Sequence, residues 1–524
     1  MKISYSVQNL RRLTSVPMIE LRPITLLLGR NSVGKSTFLR SFPLIRQSVE
    51  TNASAPILWY GDHVDFGNFK SAVSDNDVDK QITFSFEIDN FTSPVIASNY
   101  LKSLKATASR TKEFGKVIAR YAVRGAEDAT QRHSLTLEIA EIEAKLCLKF
   151  DRSNRFVSEV ILNDKHFSAL TEESGLYIPS DKIFGTPLFF SRKDNLLISG
   201  GRVTVFQRLL VKELNSVVDG RIGHARIAKE ASRILDKKIL NKEALASLQW
   251  TDTQAFRNIY ASLGRSPDSI LAQRLDAICR ANHAFILMEA LNNALDGYFQ
   301  GVEYIGPARA RSERYYRQQE LAVSEISPDG RNLPMFLASL DARKLNELSS
   351  WVERAFDYGI SVHKEGGHIS INLEQNGKSI NVLDTGYGVS QVLPVLTQIW
   401  WMQQKDRARR AQSTRLDIFR VQTLLIEQPE LHLHPAHQAL LADVFAEAIA
   451  DEEAPALSFL IETHSESMIN RIGELISTGT VQAEKVQIVI FGDSSDSLTS
   501  SDVTLATFDQ EGVLQNWPYG FFNY

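Results

Sequence analysis

Cysteine is nearly absent from this chain: Cys147 and Cys279 are the only two in 524 residues. Two thiols leave room for neither a disulfide framework nor a cysteine-based zinc site. Long apolar runs are absent as well. Nowhere do roughly 18 apolar residues follow one another, and the start, "MKISYSVQNLRRL", has no signal-peptide apolar core, so a soluble, cytoplasmic chain without a membrane partner is expected. Positive charge is not in excess either, with 58 Lys and Arg against 62 Asp and Glu and a formal net charge of −4. That balance excludes a surface uniformly coated for nucleic acid, and any such contact has to come from a local patch or a partner. No heptad pattern is sustained, which excludes a long coiled-coil arm.

What is present is ordinary globular composition in a chain too long for a single core, so two or more lobes are expected. The run "ITLLL" at 24–28 has the texture of a buried parallel strand. The turn "GRNSVG" follows it, then a helix from "KSTFLRSF", where Pro43 is expected to kink or break the helix. Alternation in "HSLTLEIAEIEAKLCLKF" and "FVSEVILND" predicts antiparallel strands. Between 202 and 300 the texture changes to amphipathic helices broken by Gly and Pro, as in "VFQRLLVKELNSVV" and "SILAQRLDAICRANHAFILMEALNNALDGYF". Strands return at "HISINLEQNGKSINVLD", where "QNGK" predicts a hairpin turn, and "GVSQVLPVLTQIWWMQQ" reads as a helix. Three apolar runs then alternate with helices: "VQTLLIE", "ALSFLIETH" and "KVQIVIFG". That order implies an α/β fold with a parallel sheet, which the strand at 24–28 joins across a long insertion. The expected organisation is a head split between 1–201, with an antiparallel β subdomain, and 301–524, interrupted by a helical insertion at 202–300.

Gly29, Arg30, Asn31, Ser32, Val33, Gly34, Lys35 and Ser36, followed by Thr37, fit G-x4-G-K-[ST] in every position, between a strand and a helix. Glycines let the backbone wrap phosphate oxygens, and the N–H groups and helix N-terminus supply positive potential. Lys35 is then expected at the β- and γ-phosphates and the Ser36 hydroxyl on Mg2+. ATP is taken over GTP by default, since a guanine-selecting N-K-x-D is missing and "NKEA" at 241 is not one.

"TLLIE" brings Glu427 to the C-terminal end of a buried strand, the expected second holder of Mg2+. Gln428 follows it, and Glu430 comes after Pro429. An amide orients a water but accepts no proton from it, so Glu430 is the alternative base if the turn brings it to the γ-phosphate. His464 in "LIETHSES" ends the next strand and is a candidate for the γ-phosphate or the attacking water. His432, His434 and His437 in "HLHPAHQ" lack the spacing of a zinc site and are better read as a loop facing a second nucleotide-binding head. Arg309, Arg311, Arg314 and Arg317 beside Tyr315 and Tyr316 are the one local candidate for nucleic-acid contact, with a solvated or subunit-contact surface as the plainer alternative.

In this order the motifs resemble the ABC-type ATPases of the structural-maintenance, RecF and OLD group, with "IEQPELHLHP" as the acidic strand and "ETHSE" as the switch-histidine motif. The resemblance implies an ABC-type, RecF/SMC-like P-loop ATPase head. In such heads a glutamate normally stands where this chain has Gln428. "LDTGYGVSQVLPVL" sits where the signature would and resembles its degenerate form, not L-S-G-G-Q. By analogy Asp384, Thr385, Gly386, Gly388 and Ser390 contact a nucleotide held by another subunit. Within the group the chain looks most like the Septu-type ATPases of bacterial anti-phage defence, sometimes encoded with retrons. That implies ATP and Mg2+, a homodimer of heads, higher homo-oligomers, a separate HNH-type nuclease subunit, and in retron settings a reverse transcriptase with its msDNA. The short tail after "KVQIVIFG" leaves the expectation of no nuclease site of its own. Three readings follow: a nucleotide-dependent switch controlling an effector nuclease, a repair or recombination ATPase, and a permanently ATP-loaded scaffold.

Overall fold

The computed structural model describes residues 2–51, 53–91, 115–126, 129–153, 155–179, 181–193, 196–319, 323–385, 387–412, 422–450, 457–493 and 501–517, with 387, 406–412, 493 and 501–502 described in their backbone alone. The chain forms two compact units. One comprises residues 1–9, 48–58 and 68–297, the other 10–47, 59–67 and 298–524.

The first unit is built on an antiparallel meander. Strands Lys2–Leu10, Ile82–Asp89, Val117–Ala126, Ala129–Ile139, Ala144–Phe150, Val157–Leu162 and Lys165–His166 pair each with the next in that order. Their alternation does the sorting: Leu135, Leu137 and Ile139 point inward between polar neighbours, as do Ala144, Leu146 and Leu148 on the next strand. Residues 201–297 of the same unit are helical, from Gly201–Asn215 to the long helix Ile270–Gln300. Sequence texture predicted broken amphipathic helices here, but the last one runs 31 residues without a break. It is buried on most sides, because the consecutive residues Ala281, Asn282, His283, Ala284 and Phe285, which point all round the helix, are all buried. On it Asn292, fully buried, accepts from the Tyr121 hydroxyl at 2.6 Å and donates to the Gly185 carbonyl at 2.9 Å.

The second unit carries the parallel sheet. Its strand order is Val302–Ile305, Gln422–Glu427, Leu457–Glu462, Ile24–Gly29, Val486–Asp493, Ser501–Phe508 and Leu514–Gln515. The first five run parallel, and the last two each pair antiparallel with the strand before them. Every residue of Ile24–Gly29 and of Gln422–Glu427 is buried, which is why these strands read as unbroken apolar runs. Helices Pro435–Ala450 and Glu466–Ser477 make the crossovers. The hairpin expected at "QNGK" is present, with His368–Gln375 paired to Lys378–Asn381 and both Asn376 and Gly377 at positive φ, 50° and 73°.

Of the two alternatives expected at Pro43, a kink or a break, the break does not occur. The helix after the phosphate loop spans Lys35–Glu50 and continues through Pro43. Proline removes one backbone bond, but Phe38, Leu39, Phe42, Leu44 and Ile45 are buried on both sides of it, and that packing outweighs the loss.

The Tyr121–Asn292 bond gives a direct test. Tyr121→Phe leaves a fully buried amide oxygen without its donor and is expected to lower stability by about 1–3 kcal/mol in urea denaturation followed by tryptophan fluorescence.

Candidate functional site

The phosphate loop is set by its backbone. Gly29, Ser32 and Gly34 have φ of 141°, 65° and 111°. A Cβ on Gly29 would lie 2.2 Å from the Phe491 carbonyl oxygen, so no other residue fits between the loop and the neighbouring strand. Arg12 ties the loop from outside, donating Nη1 to the Ser32 carbonyl at 2.8 Å. Arg30, Asn31 and Ser32 are exposed, Val33 and Lys35 are buried, and Ser36 and Thr37 are half-buried at the helix start. Lys35 folds over the loop, donating Nζ to the carbonyls of Gly29 at 2.8 Å and Arg30 at 2.7 Å. Burial lowers its pKa from the usual lysine value, against the pull of Glu462.

The acidic strand does not neighbour the loop strand; Leu457–Glu462 lies between them. Its register pairs Glu427 with Glu462, so two carboxylates stand side by side at the C-terminal edge of the sheet. Each has its own cation or hydroxyl. Glu427 receives both ends of the Arg40 guanidinium, Nε at 2.6 Å and Nη2 at 2.7 Å, and the Tyr304 hydroxyl at 2.7 Å. Glu462 accepts from Ser36 Oγ at 2.7 Å and lies 3.8 Å from Lys35 Nζ. The hydrogen bond to Glu427 raises the Arg40 pKa, and burial, with Glu427 second, raises that of Tyr304. Burial first, offset by the Ser36 bond and reinforced by Glu427, holds Glu462 above the usual glutamate range. Glu462, Arg40 and Tyr304 are the residues that sequence reasoning missed. The one available sign was a carboxylate at the end of the "FLIETH" run.

After Glu427 the chain turns sharply. Gln428 has φ 47° and donates its N–H to the Glu462 carbonyl at 2.7 Å, with its side chain half-buried. Glu430 is carried inward, where Oε1 accepts the backbone N–H of His464 at 2.7 Å. Burial holds the Glu430 carboxyl above its ordinary value. Arg309 lies behind the turn, donating to the carbonyl of Glu427 at 2.8 Å and of Gln428 at 3.5 Å, and burial pulls it down to about 10. It is 7% exposed and therefore cannot serve as a nucleic-acid contact. Arg314 is engaged as well, in a fork on Asp384 at 2.7 and 2.9 Å, while Arg311 and Arg317 are exposed. The His464 ring titrates below its usual value, through desolvation and then the Lys35 charge. Thr463 donates its N–H to the Leu27 carbonyl at 3.2 Å, so the histidine is anchored to the phosphate-loop strand.

The AAA ATPase domain profile matches residues 1–469. The chain belongs to the AAA ATPase domain family. As a member it is an ATP-binding ATPase chain, and Lys35, Ser36, Glu427, Gln428, Glu430, Glu462 and His464 converge where the C-terminal ends of its strands meet the loop. No curated protein matches the chain. Among solved structures, the Smc head domain with an extended coiled coil bound to the C-terminal domain of ScpA, from Pyrococcus furiosus, is similar at 10% identity and TM-score 0.33, over 96% of each chain. An SmcHead bound to the C-winged helix domain of ScpA is similar at 8% identity and TM-score 0.33, covering 97% of this chain and 98% of that one. Among the described residues, no helix is long and apolar enough to cross a membrane.

The expected signature residues gather elsewhere in this AAA ATPase unit, around the start of helix Tyr387–Gln412. Asp384 is held by Arg314, Thr385 donates Oγ1 to the Val382 carbonyl at 2.9 Å, and Ser390 is buried. Gly388 packs so closely that a Cβ there would stand 2.5 Å from the His432 carbonyl oxygen. Gly386 lies outside the described residues. His434 accepts the Ala436 N–H at 3.3 Å, and His437 packs on the Phe356 ring at 5.9 Å. Two carboxylates beside a hydroxyl are hard oxygen donors of the type that suits Mg2+ rather than a softer metal.

The raised pKa of Glu430 sets a pH dependence. A carboxyl that binds its proton more tightly when folded destabilises the fold as pH rises through its folded value, and the effect is absent below the unfolded one. Glu430→Gln keeps an oxygen for the His464 N–H and removes the buried charge. The variant is therefore expected to exceed wild type in stability at about pH 8 and to converge with it at about pH 4, in chemical denaturation at both.

Proposed function

We propose that the chain is a slowly hydrolysing ATPase switch, in which bound ATP and Mg2+ act as a long-lived clamp. One observation carries the reading. At the end of the acidic strand the carboxylates are already engaged, Glu427 by Arg40 and Tyr304, Glu462 by Ser36 and Glu430 by His464, and the half-buried turn position offers the amide of Gln428. An amide orients water and leaves its proton in place, so the site binds nucleotide better than it turns it over. Lys35 reaches the phosphates once it leaves the Gly29 and Arg30 carbonyls. His464, kept neutral by its surroundings, accepts a hydrogen bond from the attacking water or donates one to the γ-phosphate.

The finer reading rests on the motif resemblance. The switch belongs to bacterial anti-phage defence of the Septu type, two heads clamp ATP between them, and the homo-oligomer holds a separate HNH-type nuclease whose release follows nucleotide state. A retron reverse transcriptase with msDNA is a further partner of that class. Asp384, Thr385, Gly388 and Ser390 then face the nucleotide of the opposing head. The presence of nuclease in a nucleotide-dependent co-purification is the test of this part.

Turnover tests the core of the proposal. Gln428→Glu is expected to raise steady-state ATP hydrolysis by about 10²–10⁴-fold over wild type at matched protein concentration. Lys35→Ala is expected to abolish nucleotide binding measured by calorimetry. Equal turnover in wild type and Gln428→Glu would mean that Glu430 or another group already supplies the base, and the clamp reading would fall.

A further inference from the structure

The position of Mg2+ at this site follows from which carboxylate is free to take it. Glu427 and Glu462 are register partners on adjacent strands and both are almost wholly buried, 2% and 3% exposed. Like charges placed directly opposite one another on neighbouring strands repel, and burial strengthens the repulsion. The protein resolves it unequally. At Glu427, Arg40 occupies one face of the carboxylate with two short bonds and Tyr304 takes a further lone pair on Oε1. A planar guanidinium on a carboxylate is the strongest pairing available to it, and breaking it in a buried setting leaves an uncompensated charge. At Glu462 the compensation is slight. Lys35 is 3.8 Å away and spends its own bonds on the Gly29 and Arg30 carbonyls, and Ser36 contributes a neutral hydroxyl.

Ser36 is the hydroxyl that a phosphate loop gives to the metal, and it already touches Glu462. A divalent cation brought in with the nucleotide therefore meets Ser36 and Glu462 together. Resting on the ATPase reading above, we propose that Glu462, with Ser36, receives the divalent cation of the bound nucleotide, and that Arg40 and Tyr304 keep Glu427 out of its inner coordination. Glu427 then acts at one remove. Its charge adds to the field at Glu462, and Arg40 is its positioning residue.

Metal affinity separates this arrangement from one centred on Glu427. Mn2+ binding to the full chain loaded with AMP-PNP is read by electron paramagnetic resonance, and AMP-PNP binding is measured separately in EDTA. Glu462→Gln is expected to weaken Mn2+ by about 10–100-fold while AMP-PNP affinity in EDTA stays at the wild-type level or improves. Glu427→Gln, which removes only a neighbouring charge, is expected to weaken Mn2+ much less than Glu462→Gln does. Should Glu462→Gln not fold, Glu462→Asp draws the carboxylate back from Ser36 without removing charge, and it too is expected to weaken Mn2+. Loss in Glu427→Gln with wild-type affinity in the Glu462 variants overturns the assignment, as does an equal loss in both. A wild-type chain that takes up no AMP-PNP overturns the ATPase reading itself, an outcome distinct from the others because it appears before any substitution is made.

Discussion

The geometry of the site is governed by one pairing, the parallel register that sets Glu427 of one strand opposite Glu462 of the next. Sheet hydrogen bonds leave no freedom in that placement, since a slip by one residue would turn every side chain of a strand to the other face. Two buried carboxylates at neighbouring strand ends then demand compensation from whatever faces the edge of the sheet. The helix Lys35–Glu50 supplies it through Ser36 and Arg40, and Val302–Ile305 supplies Tyr304. The phosphate loop, the acidic strand and the first strand of the sheet are held together by charge neutralisation as much as by apolar packing.

The segment between Gly306 and Arg317 extends the same principle outward. Arg309 crosses behind the turn and draws the carbonyls of Glu427 and Gln428 toward one guanidinium, while Arg314 closes on Asp384. Gln391 reaches back to the Ala310 carbonyl at 3.5 Å. One short stretch of chain thus touches both the turn that carries Gln428 and the loop that leads into the signature-like helix. Gly388, pressed on the His432 carbonyl, makes a second bridge between the same two elements.

Much of this was legible in the residues. The phosphate loop could be read because its glycines answer to backbone angles that few other residues adopt, and the hairpin at Asn376–Gly377 for the same reason. The buried parallel strands announced themselves as apolar runs, and the family match extends over most of the chain that carries them. The role of Glu462 was not legible. Its partner Ser36 stands 426 positions away, and only strand order and register bring the two together. Arg40 looked like any polar helix residue, and Tyr304 like part of an apolar run. The arginine-rich stretch was legible only in part, with Arg311, Arg314 and Arg317 exposed and Arg309 buried. Composition cannot tell a guanidinium that caps carbonyls in the interior, as Arg309 does, from one displayed to solvent. Pro43 shows the limit of local rules where a helix is packed along both sides of the proline.

Ser36 and Arg40 are four residues apart on one helix, so they lie one above the other on a single face. Each grips a different one of the two paired carboxylates. The helix is therefore a rigid lever with two attachment points. A small roll or slide that relaxes the grip at one end is felt at the other, because no flexible joint separates them. One helix face thus holds both the carboxylate beside the phosphate loop and the one that precedes Gln428.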